Sequence, residues 1–179
     1  MIDSKGQTYN RIVVLDTSFL IDYSEGHHWT LEPFNLINQP DSMVVIPQDV
    51  EYEYARLIGN TTHSQDPNDK PRNIFELLKL RRYATYTEAL RKALAEKLDH
   101  KIEYLNQRHS SLSRTDKTLV QAAYDIAREG EEVSVVSGDR GIIDQVENLN
   151  LEYHLNIDRH SPHQTAILKS KSEFVFSPD

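Results

Sequence analysis

Residues Arg11–Asp22 read RIVVLDTSFLID. Four apolar residues, Ile12-Val13-Val14-Leu15, run directly into Asp16, and two small hydroxyl residues, Thr17 and Ser18, follow. A short apolar run rich in β-branched residues is what a parallel strand covered on both faces requires. Ending such a strand on a carboxylate raises a question. A charge at the margin of a core is costly unless something pairs with it. The rest of the chain has to supply that partner.

Outward from this stretch the same pattern recurs. Met43-Val44-Val45-Ile46 reads as a second buried strand, stopped by Pro47, and Asp49 to Ile58 as a helix start with Val50, Tyr54 and Leu57 at helical spacing. Phe19 to Tyr23 is compatible with a helix start, whereas His27 to Gln39 fits no single pattern. Gly59 to Asn73, GNTTHSQDPNDKPRN, is a polar stretch with the composition of a loop. From Ile74 the chain reads as helical. Leu90, Leu94, Leu98, Ile102 and Leu105 form an amphipathic stripe, and a break at Thr85–Thr87 would divide the segment into two helices. Another helix carries Leu119, Val120, Ala123, Ile126 and Ala127, with Ser113 or Thr115 as cap and Gly130 as terminator. Glu132 to Ser137 is a strand, GDRG a turn, GIIDQVENLN a short helix and LEYHL an edge strand. After Asp158 the pattern fades. The alternation of strands and helices specifies an α/β sandwich with a mainly parallel sheet. The expected organisation is one domain over residues 1–158, with a basic helical segment at 72–108 and a tail at 159–179.

With 179 residues, 38% hydrophobic and 27% charged, the chain has the means for one core and a polar surface. No apolar run approaches the ~18 residues of a membrane span, so no membrane partner is expected. The first ten residues, MIDSKGQTYN, lack an apolar signal region, and there are no cysteines. Both point to a cytoplasmic setting, and the absence of cysteine excludes thiolate metal sites. The net charge of −8 conceals an asymmetry. Arg72 to Arg108 holds nine Lys/Arg against five Asp/Glu, a balance of +4 that leaves −12 for the remainder.

In an open parallel sheet, ligands bind outside the carboxyl ends of the strands. The first strand delivers Asp16 there. The helix after the second carries Glu51 and Glu53. The strand ending at Ser137 delivers Asp139, and the helix before it opens with Asp116. Clustered carboxylates repel and are pushed toward protonation unless a cation is present. Hard divalent ions such as Mg²⁺ and Mn²⁺ take oxygen ligands. Two of them ~3.5–4 Å apart can drive an in-line phosphoryl displacement.

VVLDTSFLID, VVIPQDVEYEYARL, SRTDKTLVQAA and VSVVSGDRGI, in that order, resemble the motifs of the PIN-domain ribonuclease family. The similarity is to the branch fused to PhoH-type ATPases and, more distantly, to toxin-type members, and it covers roughly residues 11–155. It implies a three-layer α/β/α sandwich whose mainly parallel sheet has four to five strands, with the basic segment as an insertion. It implies that Asp16, Glu53, Asp116 and Asp139 hold Mg²⁺ or Mn²⁺. Ser18 and Ser137 would be supporting hydroxyls and Asp144 an extra outer acid. The implied activity is endonucleolytic hydrolysis of RNA, single-stranded in the first instance, leaving a 5′-phosphate and a 3′-hydroxyl. A homodimer and an inhibitory antitoxin are further partners the resemblance raises. Tyr52 and Tyr54 depart from the family, in which Leu is common after the glutamate.

Simpler roles stand beside these. Asp16 can cap a helix, Asp116 can stabilise a helix N-terminus, and Asp139 can be a turn residue. Glu51 and Glu53 lie about 200° apart on a helix, so only one can face the site. The spacing from Pro47 favours Glu53. Arg81, Arg82, Arg91 and Lys92 are candidates for RNA contact, because an acidic body needs a positive surface to hold a phosphate backbone. They alternate with acids as on any solvated face. Tyr83, Tyr86 and Tyr104 could stack on bases but are better read as packing. The histidines form no metal-binding spacing, and His27-His28 read as structural. A haloacid-dehalogenase-type phosphatase needs a second Asp where Ser18 stands. A receiver domain needs a Lys that VSVVSGDRG lacks, and no Walker A, GxSxG or HExxH motif is present. The rival class is a PIN-fold scaffold that binds RNA or protein without cleaving.

Overall fold

The computed structural model describes residues 8–61, 83–87 and 112–162. Five strands form one sheet: β1 (Arg11–Leu15), β2 (Ser42–Pro47), β3 (Tyr83–Tyr86), β4 (Glu132–Val136) and β5 (Ile157–His160). Every pairing is parallel and the order is β3-β2-β1-β4-β5. Val13 lies between Val44 and Ser134, and Val14 between Val45 and Val135. Ile12 to Leu15 are fully buried, as a central parallel strand demands.

Helices α1 (Thr17–Ser24), α2 (Leu31–Ile37), α3 (Gln48–Thr61), α4 (Arg114–Arg128) and α5 (Arg140–Tyr153) flank the sheet, giving a three-layer α/β/α sandwich. A single 3₁₀ turn, His28–Thr30, leads into α2 and settles the ambiguous stretch after His27. Helix α4 presents Leu119, Val120, Ala123 and Ile126 to the core and ends at Gly130, whose φ of 86° only glycine adopts readily.

Three expectations need correction. Tyr83–Tyr86 is a strand paired with β2, not part of a helix. Aromatic and β-branched residues suit a pleated edge. The buried Tyr86 hydroxyl donates to the buried Asp125 carboxyl, which also accepts from Gln121 Nε2 at 2.7 Å. The stripe Leu90 to Leu105 and the cations Arg81, Arg82, Arg91 and Lys92 lie outside the described residues. LEYHL is not a strand either. Helix α5 runs through Tyr153 and turns at His154, which is left-handed with φ 53°. Ile142, Val146 and Leu149 are buried while Leu151 is 72% exposed, so the helical period governs there. The edge strand follows at Ile157–His160, clamped by Asn150, whose side chain exchanges two 2.9 Å hydrogen bonds with the Ile157 backbone. The sheet therefore takes in Arg159 and His160, the first residues assigned to the tail.

The Tyr86–Asp125 contact ties the unforeseen strand to α4. Tyr86→Phe removes a donor from a buried carboxyl group and is expected to cost about 1–3 kcal/mol in urea unfolding with an unchanged m-value. A change below about 0.5 kcal/mol would place it with inert surface substitutions and contradict this role.

Candidate functional site

The chain steps from β1 to β2 on one side and takes up β4 on the other. The crevice at such a reversal, beyond the carboxyl ends of the strands, is where open α/β sheets bind ligands. Asp16 follows β1 there, and Ser137-Gly138-Asp139 follows β4. The Asp16 amide donates to the Val136 carbonyl at 3.1 Å, and the Ser137 amide to the His160 carbonyl at 3.1 Å. The overlooked strand β5 therefore anchors the loop that carries Asp139.

Asp16 is 4% exposed. Its Oδ1 accepts from the Thr17 amide at 2.7 Å, capping α1. Its Oδ2 accepts from Ser137 Oγ at 2.8 Å and from Ser18 Oγ. Ser18 Oγ accepts in turn from the Gly138 amide at 2.7 Å, and Ser137 Oγ from the Asp139 amide at 2.9 Å. A Cβ at Gly138 would sit 3.2 Å from Ser18 Oγ, so the absent side chain lets the two loops close on each other. Burial pushes the Asp16 carboxyl above its ordinary range. The hydroxyl and amide donors oppose that shift, and the negative charge of Asp116 adds to it.

The other acids approach from separate elements. Glu53 Oε2 accepts from Thr17 Oγ1 at 2.8 Å, so α3 turns this glutamate toward the residue after Asp16. Glu51 is directed instead to Thr85 Oγ1, at 3.0 Å on β3. Asp116 closes a capping box with Ser113: its Oδ2 accepts the Ser113 amide at 2.7 Å, and its own amide donates to Ser113 Oγ at 3.2 Å. Asp139 is exposed and caps α5 through the Gly141 amide at 2.6 Å. Asp144 is exposed on α5 and lies 3.7 Å from Arg140, one turn away. That surface pair gives it an ordinary partner and no tie to the other acids.

These residues suit a hard divalent cation. All the donors are carboxylate or hydroxyl oxygens. Asp16 is raised by burial beside another negative charge, and among the described residues no Lys or Arg pairs with Asp16, Glu53, Asp116 or Asp139. The side chains are not drawn together as ligands, however. Among the described residues the one group of three whose ligating atoms all lie within 4.8 Å of one another is Asp22, Glu25 and His27. That group could hold a metal ion, and it includes His27, which the sequence reads as structural. Both imidazole nitrogens face carboxylates, at 3.3 Å from Asp22 and 3.4 Å from Glu25. Asp22 also accepts from Trp29 Nε1 at 2.8 Å, and its Oδ2 lies 3.4 Å from where a Gly138 Cβ would be.

Sequence reasoning missed Thr17 as the link from Asp16 to Glu53, and it missed Asp22. The signal for Thr17 was the pair of hydroxyls directly after the acid. Asp22 carried none, because its neighbours Trp29 and Gly138 reach it only through the fold.

The sign of the Asp16 shift gives a stability test. A carboxyl raised on folding binds more protons in the native state. Its contribution is therefore fully present below the ordinary value near 3.8 and is lost as pH rises through the folded value. The unfolding free energy of Asp16→Asn relative to wild type should increase as pH rises above that value and then level off. A difference that stays flat with pH would show the carboxyl to be unperturbed.

No protein-family profile matches this sequence, and no curated protein matches it. Among solved structures the chain is similar to one described as the crystal structure of PAE2754 from Pyrobaculum aerophilum. The two are 13% identical with a TM-score of 0.41, over 82% of this chain and 97% of the other. A likeness at that level carries no argument about function.

Proposed function

We propose that the protein is a PIN-like endoribonuclease that depends on Mg²⁺ or Mn²⁺ and hydrolyses phosphodiester bonds of single-stranded RNA. One observation carries this reading. A carboxylate buried at the switch point of the sheet, Asp16, is fixed by three donors beside a second acid, with no described basic partner. The bound cation would supply charge neutralisation and a lowered pKa for bound water. Asp16, Glu53, Asp116 and Asp139 would hold it. Asp116 and Asp139 each commit one oxygen to a backbone amide and keep the other for this purpose, whereas at Asp16 the cation would share oxygens that already accept hydrogen bonds.

The remaining residues position these acids. Ser137 bridges the two central strand ends, because its hydroxyl donates to Asp16 and accepts the Asp139 amide. Thr17 sets the Glu53 carboxylate. Ser18 fixes Asp16 from the first turn of α1 and is itself held by the Gly138 amide of the opposite loop. The same reading carries a cytoplasmic location, a homodimer and an inhibitory antitoxin as secondary proposals. No helix among the described residues is long and apolar enough to cross a membrane.

The scaffold reading keeps one observation on its side: three of the four acids already serve as helix caps. Two measurements separate the readings. Mn²⁺ at about one hundred times its dissociation constant should stabilise the wild type by roughly 2.7 kcal/mol in calorimetry, and Asp16→Asn should lose that gain. Ser137→Ala should weaken the cation by about 10–100-fold. Single-stranded RNA should be cut by wild type with Mn²⁺ or Mg²⁺, but not by Asp16→Asn or Asp139→Asn. Equal cutting by all three would sink the assignment. Binding of RNA without cutting under any of these conditions would favour the scaffold.

A further inference from the structure

Beside Glu53, helix α3 and the start of α4 border an open groove of about 310 Å³, lined by Asp49, Tyr52, Glu53, Arg56, Arg114 and Thr115. Three of these residues lack an explanation in the fold. Tyr52 is 64% exposed, a large aromatic ring that packing leaves uncovered. It is nonetheless anchored, because Gln48 Nε2 donates to its hydroxyl at 2.9 Å from one turn earlier. Arg114 has its Nε 3.5 Å from Asp49 Oδ2 while its side chain remains 89% exposed. Arg56 is exposed and has no acidic partner among the described residues.

The two acids of the groove are each engaged by a threonine hydroxyl, and Asp49 also faces Arg114. Asp49 Oδ2 also accepts from Thr118 Oγ1 at 2.9 Å, and Glu53 Oε2 accepts from Thr17. The groove thus offers two guanidinium groups and an anchored ring, next to the acidic centre of a chain whose net charge is −8. Arginine pairs with phosphate in a directed, often bidentate manner. An exposed aromatic face takes an unstacked base. An acidic or phosphorylated peptide would use the arginines and leave the ring without a partner.

We propose that this groove is a nucleotide subsite. Tyr52 stacks on one base of single-stranded RNA, and Arg56 and Arg114 hold the adjoining phosphate. The proposal rests on the nuclease reading and adds to it the surface that seats the strand beside Glu53.

The test is binding of a fluorescein-labelled single-stranded oligoadenylate to the full chain in EDTA, followed by anisotropy over a range of salt. Cleavage is thereby separated from binding. Tyr52→Ala is expected to weaken binding about fivefold or more, and Tyr52→Phe, which keeps the ring, to bind nearly as wild type. Arg56→Ala and Arg114→Ala should each lower the slope of log K against log salt by about one. Asp16→Asn should bind as wild type while failing to cut. If wild type binds and the three groove variants match it in affinity and slope, the strand lies elsewhere. The subsite is then overturned, while cleavage dependent on Asp16 still stands. Weakening by the arginine variants alone would reduce the groove to an anion site and overturn the nucleotide assignment. Absence of wild-type binding would overturn it as well, with the cleavage assay deciding the nuclease reading separately.

Discussion

A carboxylate that is 4% exposed at the junction of two central strands is the constraint on which the rest of the structure depends. Taking Asp16 out of water is costly, and only hydrogen bonds and a counter-charge can offset it. The fold provides the hydrogen bonds from both sides of the junction: Thr17 and Ser18 from the chain after β1, and Ser137 from the chain after β4. To bring them there, β1 and β4 must pair in parallel and in register, Gly138 must lack a side chain, and β5 must hold Ser137 by its backbone. The arrangement of the crevice follows from keeping one acid in place.

What the hydrogen bonds leave undone is the charge. Burial and the neighbouring Asp116 both push the Asp16 carboxyl toward its neutral form. Among the described residues no basic side chain answers them. Asp16, Asp116 and Asp139 each spend one oxygen on a helix N-terminus, where a negative group is favoured by the unpaired amides and the helix dipole. Capping and ligation are therefore compatible roles for the same side chain. At Asp116 and Asp139 the cap fixes the carboxylate's position and leaves its other oxygen available, whereas the second oxygen of Asp16 accepts from Ser18 and Ser137.

The sequence made much of this legible, for identifiable reasons. Strands β1, β2 and β4 are continuous apolar runs because both faces are covered, and α4 has a clear period, a capping Ser113 and a terminal Gly130. Asp16, Asp116 and Asp139 stood out because each follows or opens an element and so lies at a strand end or helix start. Helix α3 turns Glu53 to Thr17 and Glu51 to Thr85, the divergence that their spacing on a helix requires. Strand β3 was hidden because Tyr83-Ala84-Thr85-Tyr86 lies between helix-like stretches and owes its place to the distant Asp125. Strand β5 was hidden because Ile157-Asp158-Arg159-His160 has little apolar content, as an edge strand can. The group of Asp22, Glu25 and His27 was missed because the turn at Gly26, with φ 77°, folds His27 back onto Asp22, which no spacing rule conveys.

Two places could therefore take a divalent ion: the crevice at Asp16 and the exposed group at Asp22, Glu25 and His27. We propose that the first is the functional one. A crystal of the wild-type protein soaked in Mn²⁺, with anomalous scattering recorded for the metal, distinguishes them directly. The predicted result is a peak bounded by Asp16 and Asp139, with Glu53 and Asp116 turned toward it. A peak confined to the Asp22 group, or none near Asp16 at saturating Mn²⁺, would contradict the claim that this buried carboxylate exists to hold a metal.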